Sequence, residues 1–255
     1  MCLILFTYDP AARNRLVLAA NRDEFYARKT AAMHHWNDRS SILAGRDLEA
    51  GGTWLAVHES GTFAALTNYR NPASTRNDAP SRGDIIPQLL DSGKSIRQGL
   101  EDLKSGCRRF NGFNLLAWDR ENLHWFSHVP DDIRPIQPGI HGLSNRLLNT
   151  EWPKVQKGKA ELCRATDPDG HIQRERIFTF LKDTTRFPDE QLPDTGVGLE
   201  CERMLSPIFI TSETYGTRSS TLLVVDDAGG IDVTERSFDA ENGNLSTEKR
   251  FRITT

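Results

Sequence analysis

The residues of this sequence best suited to chemistry are Cys2 and a polar tetrad at residues 21–24, Asn-Arg-Asp-Glu. Two short apolar segments, residues 2–8 and 15–20, are predicted to be strands joined by a turn at residues 9–14. The second segment runs directly into the tetrad. Pairing of the two segments as a hairpin would carry the Cys2 thiol towards a guanidinium and two carboxylates.

Removal of Met1 would add a free α-amine to the same residue. Cysteine is a small second residue, which permits this removal. The pKa of an α-amine is about 7.7–8.0 and that of a free thiol about 8.5, so a cationic field from Arg22 would populate the thiolate at neutral pH. The alternative is that Cys2 is a small buried hydrophobe of the first strand and that the tetrad is a solvated turn.

Composition predicts one globular domain over residues 1–255. Hydrophobic residues make up 37% and charged residues 26%, which is enough apolar sequence for a sizeable core. The formal net charge is −3, and the Lys and Arg residues are evenly scattered. Because no basic stripe or polybasic patch is present, nucleic acid is not expected as a partner. The oligomeric state is left open.

The sequence indicates a cytoplasmic protein without a membrane span. The apolar run at residues 3–6 is too short for a signal peptide and is followed by Asp9-Pro10. No segment approaches the length of a transmembrane helix. The four cysteines lie far apart in the sequence, without the spacing of a zinc site or the density of a disulfide scaffold.

The order of predicted elements favours an α+β fold. Residues 25–50, 70–82 and 185–202 are predicted to be loop-rich, and residues 214–220 a turn. Hairpins are predicted at 53–58 with 62–69 and at 113–118 with 123–128; helices at 85–90, 95–105, 152–166 and 172–181; and late strands at 208–212, 221–225 and 231–235. Antiparallel strand groups separated by helical pairs suit two sheets packed face to face with helices outside.

Several segments together resemble a known family. Met1-Cys2 precedes an apolar strand, the tetrad ends the next strand, and Gly-Gly-Thr-Trp at 51–54 and Gly-Leu-Ser-Asn at 142–145 follow. This combination resembles the NRDE-motif family, also called the transport and Golgi organisation protein 2 family. That family is in turn similar to N-terminal-nucleophile hydrolases of the penicillin V acylase and bile-salt hydrolase type. The resemblance implies a four-layer αββα sandwich, with two antiparallel sheets between helical layers.

The resemblance also implies roles for three later residues. In the acylase-type enzymes, asparagines at the ends of comparable strands hold the oxyanion, and Asn68 and Asn145 stand where these would be expected. A late arginine lies near the nucleophile in those enzymes, and Arg218 is the matching position. The alternatives are that Asn68 caps a turn and that Arg218 pairs with Asp23 or Glu24 for structure alone.

The resemblance implies hydrolysis of a non-peptide amide C–N bond through an acyl-enzyme, with no cofactor and with a small-molecule substrate or ligand as the partner. Cys2 attacks, its α-amine or a bridging water moves the proton, Arg22 and Asp23 hold the amine and thiolate, and the two asparagines steady the oxyanion. The acylases space their arginine and aspartate a few residues apart, whereas Arg22 and Asp23 are adjacent and point to opposite sides of a strand. Glu24 is therefore an alternative acidic partner.

The rival hypothesis is a carrier that keeps the hydrolase scaffold without turnover, because family members are associated with haem handling. His34-His35 would then be candidate haem ligands, although adjacent residues of an extended chain point to opposite sides. His124 and His128 would share one face of a strand, but no carboxylate or cysteine at a fitting distance completes a metal site. The sequence offers no obvious haem or metal centre.

Overall fold

The computed structural model describes residues 3–167, 170–239 and 243–254, in which the chain forms thirteen strands and five α-helices. The strands are β1 (Leu3–Tyr8), β2 (Asn14–Phe25), β3 (Thr30–His35), β4 (Ile42–Asp47), β5 (Leu55–His58), β6 (Phe63–Asn68), β7 (Phe113–Trp118), β8 (Leu123–Ser127), β9 (Asp132–Pro135), β10 (Gly139–Leu143), β11 (Tyr215–Asp226), β12 (Ile231–Phe238) and β13 (Leu245–Ile253). The helices are α1 (Ile85–Leu90), α2 (Ile96–Gly106), α3 (Pro153–Ala165), α4 (Arg174–Leu181) and α5 (Leu199–Leu205).

The strands form two antiparallel sheets. The first has the order β10-β1-β2-β11-β12-β13, and the second the order β3-β4-β5-β6-β7-β8-β9. Strand β2 therefore lies inside the first sheet, between β1 from the start of the chain and β11 from near its end. The second sheet instead follows chain order, as successive hairpins do.

Three apolar clusters separate four layers. The cluster between the sheets includes Leu18, Leu116 and Leu223. A second cluster joins the outer face of the second sheet to α1 and α2, and a third joins the outer face of the first sheet to α3 and α4. This arrangement of helix, sheet, sheet and helix confirms the predicted four-layer αββα sandwich.

Side-chain alternation along β2 divides the tetrad between two layers. Leu16, Leu18 and Ala20 belong to the cluster between the sheets, whereas Val17 and Ala19 belong to the cluster under the helices. Successive side chains of a strand point to opposite faces. Arg22 and Glu24 therefore share the face between the sheets, and Asn21 and Asp23 share the helical face.

The predicted loop at residues 25–50 is wrong, because β3 and β4 occupy much of it. The register between these strands shifts between Ala31 and His34, and most of β3 is only half-buried. A bulged, half-exposed strand lacks regular alternation of apolar and polar residues, which is the signal on which strand prediction depends. Likewise, the irregular stretch predicted at 185–202 contains the first residues of α5.

The strand predicted at residues 208–212 and the turn predicted at 214–220 are also wrong. The backbone groups of Ile208 and Ile210 are bound by side chains: the Asn21 amide donates to the Ile208 carbonyl, and the Ile210 amide donates to the Thr217 hydroxyl. Strand β11 already begins at Tyr215, because the polar residues of its first half pair with the tetrad. Residues 208–220 are therefore positioned by buried polar contacts, which leave no alternating apolar pattern in the sequence.

The helices of the described residues are all too short or too polar to cross a membrane.

Candidate active site

The N-terminal end of β1 lies between polar residues of β2 and of the segment that follows β10. Leu3 pairs with Asn21 of β2, and Ile4 pairs with Leu143 of β10. Arg22 is the next residue along β2, and Asn145 follows the end of β10 by two residues. Cys2 precedes Leu3 in the sequence and, like Met1, is outside the described residues. The predicted hairpin of the first two strands is confirmed.

Arg22 is a buried cation between the two sheets. Its guanidinium carbon lies 4.2 Å from the centroid of the Trp54 ring. One guanidinium nitrogen is 3.8 Å from a carboxylate oxygen of Glu24, and another is 3.5 Å from the Thr30 hydroxyl. A stacked arginine beside a carboxylate is held in one orientation, because one face and both terminal nitrogens of its planar group are engaged.

The segment around Trp54 explains how this ring reaches Arg22. Gly45 of β4 leaves room for it, since a Cβ atom at Gly45 would lie 2.4 Å from Cζ2 of Trp54. Thr53, next to Trp54, donates its hydroxyl hydrogen to the Leu55 carbonyl. The Gly-Gly-Thr-Trp segment therefore forms part of the wall that supports the cation.

Asp23 and Asn21 face the helical layer instead. The Thr217 hydroxyl donates to Oδ1 of Asp23 at 2.6 Å. The Asn21 amide donates to the carbonyls of Leu181 and Ile208, and Ser220 donates to its oxygen. The geometry thus agrees with the expectation that Arg22 and Asp23 point apart, and Glu24 is the acidic residue that lies beside Arg22.

Asn68 and Asn145 meet at the other side of the β1 terminus. Nδ2 of Asn145 donates to the Asn68 carbonyl at 3.0 Å, although Asn68 ends β6 of the second sheet. Asn145 is buried, while the side chain of Asn68 lines two cavities. The pairing joins the two sheets and brings the two predicted oxyanion donors together.

Sequence reasoning missed the ion pair that orients Asn145. Arg70 donates to Oδ1 of Asn145 at 3.2 Å and to a carboxylate oxygen of Glu202 at 2.9 Å, while its backbone amide donates to the Asn145 carbonyl. The second carboxylate oxygen of Glu202 accepts from Thr195. Because arginine only donates, this contact fixes Oδ1 towards Arg70 and Nδ2 towards Asn68.

Arg218 occupies a β-bulge of β11. The pairing with β2 shifts between Thr217 and Ser219, so that Arg218 is the extra residue. One of its guanidinium nitrogens lies 3.0–3.2 Å from the carbonyls of Phe25, Tyr26 and Arg28. Its hydrogen bonds among the described residues therefore hold the turn after β2, rather than joining Asp23 or Glu24.

Three cavities that share lining residues surround these side chains. The central cavity, of about 330 Å³, is lined by Arg22, Glu24, Trp54, Asn68, Arg82 and Asn111 among others. The Asn145 cavity, of about 380 Å³, shares Asn68, Arg82 and Asn111 with it. The Glu235 cavity, of about 250 Å³, shares Arg22 and Trp54 with the central one and adds Arg218, Ser219 and Glu235. Five of the six predicted site residues lie in the described part of the chain, and four of them border these cavities; Asp23 does not.

Glu235 is a second residue that sequence reasoning missed. Its side chain is 1% exposed, and the Met33 backbone amide donates to Oε1 at 2.7 Å. Burial raises the pKa of Glu235 to about 7, although the Met33 amide and the charge of Arg22 lower it. The Ser219 hydroxyl lies close enough to lower this pKa slightly, yet its geometry falls short of a hydrogen bond. In the sequence, Glu235 alternates in phase with Ile231 and Val233, and this pattern is the signal that indicates a glutamate facing the interior.

The histidines considered as ligands have other contacts. Nδ1 of His34 lies 2.8 Å from the Ala32 carbonyl, and the ring of His35 packs edge-on against Phe251. His124 lies 2.9 Å from an Asp119 oxygen. No group of three or more metal-binding side chains occurs within the described ranges.

Comparisons with known proteins match nearly the full length of the chain. The family model described as Transport and Golgi organisation 2 matches residues 1–240. The Mus musculus Transport and Golgi organization 2 homolog is 34% identical, and the Bos taurus homolog 35% identical, with 93% of each chain covered. A solved structure, the mutant C2A conjugated bile acid hydrolase from Clostridium perfringens, superposes with a TM-score of 0.44 at 11% identity, covering 98% of this chain and 96% of that one.

Proposed function

We propose that this protein, which belongs to the Transport and Golgi organisation 2 family, hydrolyses a non-peptide amide C–N bond. Cys2 is the nucleophile in this proposal. The observation that carries the proposal is the setting of the β1 terminus. Arg22 on one side and the Asn145–Asn68 pair on the other border the strand whose first described residue follows Cys2. A cation and amide donors are the groups that thiol-based acyl transfer requires.

In the proposed reaction the α-amine of Cys2 takes the thiol proton, and the sulfur attacks the carbonyl carbon of the amide. The carbonyl electron pair moves to oxygen, which accepts hydrogen bonds from the amides of Asn68 and Asn145. Collapse of this intermediate breaks the C–N bond, and the ammonium proton leaves with the amine. Water then attacks the thioester, releasing a carboxylic acid and restoring the thiol.

Arg22 provides electrostatic stabilisation of the thiolate in this mechanism. A cation within a few ångströms of a thiol favours the thiolate, and burial strengthens that effect because solvent screens it less. Glu24, 3.8 Å from the guanidinium, holds Arg22 in place. Asp23 remains the alternative partner of the α-amine, and its tie to Thr217 orients it. The variants Glu24→Gln and Asp23→Asn separate the support of Arg22 from the binding of the α-amine.

The decisive experiment uses activated esters and a panel of small amides, read by intact mass. The wild-type protein should lose Met1 and gain one acyl group, and Cys2→Ala should fold normally but gain none. Cys163→Ala is the matched control, because Cys163 is an exposed free thiol. Stoichiometric haem binding without an acyl-enzyme across the panel, or retention of Met1, would overturn the proposal in favour of a carrier.

A further inference from the structure

Three buried polar atoms that lie around one cavity have no hydrogen-bond partner among the described residues. They are Nε of Arg218, Oγ of Ser219 and Oε2 of Glu235, and all three residues line the Glu235 cavity. Ser219 and Glu235 are each at least nine-tenths buried. Buried polar atoms in folded proteins are nearly always paired, so three such atoms around one space mark a place for a polar group.

The strand geometry explains why these atoms converge. The bulge at Arg218 sets both Arg218 and Ser219 opposite Arg22, on the face between the sheets. Glu235 of β12 shares that face, because it alternates in phase with Ile231 and Val233 of the inter-sheet cluster. A bulge is an irregularity that re-aims side chains, and here it adds a second polar residue to the cavity wall.

The charges and donors of the cavity favour an anionic ligand. Arg22 and Arg218 are cations, and Nε–H of Arg218 is a donor without an acceptor. Oε1 of Glu235 is already occupied by the Met33 amide, and at neutral pH a large fraction of this carboxyl is protonated, since its pKa is raised to about 7. Oε2–H then joins Arg218 Nε–H and the Ser219 hydroxyl as a third donor.

We propose that the Glu235 cavity binds a carboxylate carried by the acyl portion of the substrate. This inference rests on the proposed hydrolase function. Exposed Pro80 and Ser81 line the central cavity, which gives the leaving amine a route to solvent, whereas Ser219 and Glu235 are buried and suit the acyl portion that stays on the enzyme. The substrates are thus amides of dicarboxylic acids with one carboxylate free.

The test compares chain-matched probes. The mono-p-nitroanilides of succinic, glutaric and adipic acids carry a terminal carboxylate, and the p-nitroanilides of butyric, pentanoic and hexanoic acids provide neutral partners. Wild-type kcat/KM should favour the carboxylate by about tenfold or more at one chain length, since hydrogen bonds to a charged group contribute about 1.5–3 kcal/mol. Ser219→Ala should reduce this preference severalfold.

Two variants of Glu235 test the donor directly. Glu235→Gln keeps an acceptor for Met33 and places an N–H where the carboxyl hydrogen would be, so the preference should persist. Glu235→Leu removes the donor, and the preference should fall to near parity. Loss of the preference in Glu235→Gln would overturn the proposal, because this variant keeps a donor at the same position. A wild-type preference for amine-terminated probes would also overturn it, because that preference requires an ionised Glu235.

Calorimetry on Cys2→Ala separates this proposal from the hydrolase function. Tighter binding of a carboxylated anilide than of its neutral partner, with no acylation of the wild type, would keep the subsite and reject the enzyme. Acylation of both probe types without preference would keep the enzyme and reject the subsite. Absence of both binding and acylation would reject both proposals.

Discussion

Glu235 makes the stability of this protein depend on pH near neutrality. Burial raises its pKa from 4.5 to about 7, so the folded state holds a proton that the unfolded state releases between these values. The contribution of Glu235 to the free energy of unfolding is therefore fully present below about pH 4.5. It falls by about 3 kcal/mol in total as the pH rises to about 7.

We expect Glu235→Gln to remove this loss. Urea denaturation of both proteins at pH 5 and pH 8 should show the variant gaining stability relative to the wild type at the higher pH. Carboxylates with lowered pKa, such as Asp47 beside Arg28, act in the opposite direction in both proteins and cancel in the comparison. A difference that does not change with pH would show that Glu235 ionises normally.

Arg70 should contribute to stability as well as to the orientation of Asn145. Arg70→Met leaves Glu202, which is 4% exposed, as a buried charge without its cation, which should cost about 3 kcal/mol. Adding Glu202→Gln should recover part of this loss, as measured by a denaturant double-mutant cycle. Arg97→Met is the control: its partner Glu101 lies one helical turn away at the surface, and the change should be below about 0.5 kcal/mol. Equal losses in the two variants would contradict the buried ion pair.

The four thiols should react in a defined order. Burial and the nearby Asp131 raise the pKa of Cys107, while Cys163 and Cys201 are exposed. Cys2 has an adjacent amine and, by the proposal, Arg22 as a neighbour, so it should alkylate first at neutral pH. Iodoacetamide labelling followed by peptide mapping measures the order, with Cys107 expected last. Faster labelling of Cys163 or Cys201 than of Cys2 would contradict an activated thiolate.

At the scale of elements, α2 offers a test remote from the site. The Ser95 hydroxyl oxygen accepts a hydrogen bond from the backbone N–H of Gln98, and the side-chain oxygen of Gln98 accepts one from the backbone N–H of Ser95. Together these two bonds form a capping box. Ser95→Ala should lower the free energy of unfolding by about 1 kcal/mol and leave activity unchanged, because α2 packs on the outer face of the second sheet. Ser105→Ala, at the other end of the helix, is the control and should have little effect in thermal denaturation. A matching loss of activity in Ser95→Ala would show that α2 supports the site.

Elements with a single dominant signal could be predicted from the sequence, and those held by long-range polar contacts could not. Alternation identified the β7–β8 hairpin, and Ser95 with Gly106 delimited α2. Strands β9 and β13 were missed because they are largely exposed and carry few apolar residues. The extended start of β11 has no apolar alternation to indicate a strand, since its hydroxyl residues pair with partners almost two hundred residues away.

At the scale of the whole molecule, the residues of the candidate site also divide into those that a local sequence signal indicates and those that depend on long-range contacts. The positions of Arg22, Asn68 and Asn145 near the ends of recognisable strands could be predicted from the sequence, whereas the oxyanion role of the two asparagines is implied by the family resemblance alone. Arg70 and Glu202 could not be predicted, because their importance comes from burial and from partners on other layers. Alternation with Ile231 and Val233 indicates that Glu235 points inward, but the sequence does not show which groups surround it.

The position of β2 between β1 and β11 bears on how the protein is made. The ribosome completes β2 at Phe25 but does not begin β11 until Tyr215, which at about 5–20 residues per second leaves β2 without this neighbour for roughly ten to forty seconds. During that interval one edge of the first hairpin has unpaired backbone groups, a template for misassociation that chaperones would have to cover.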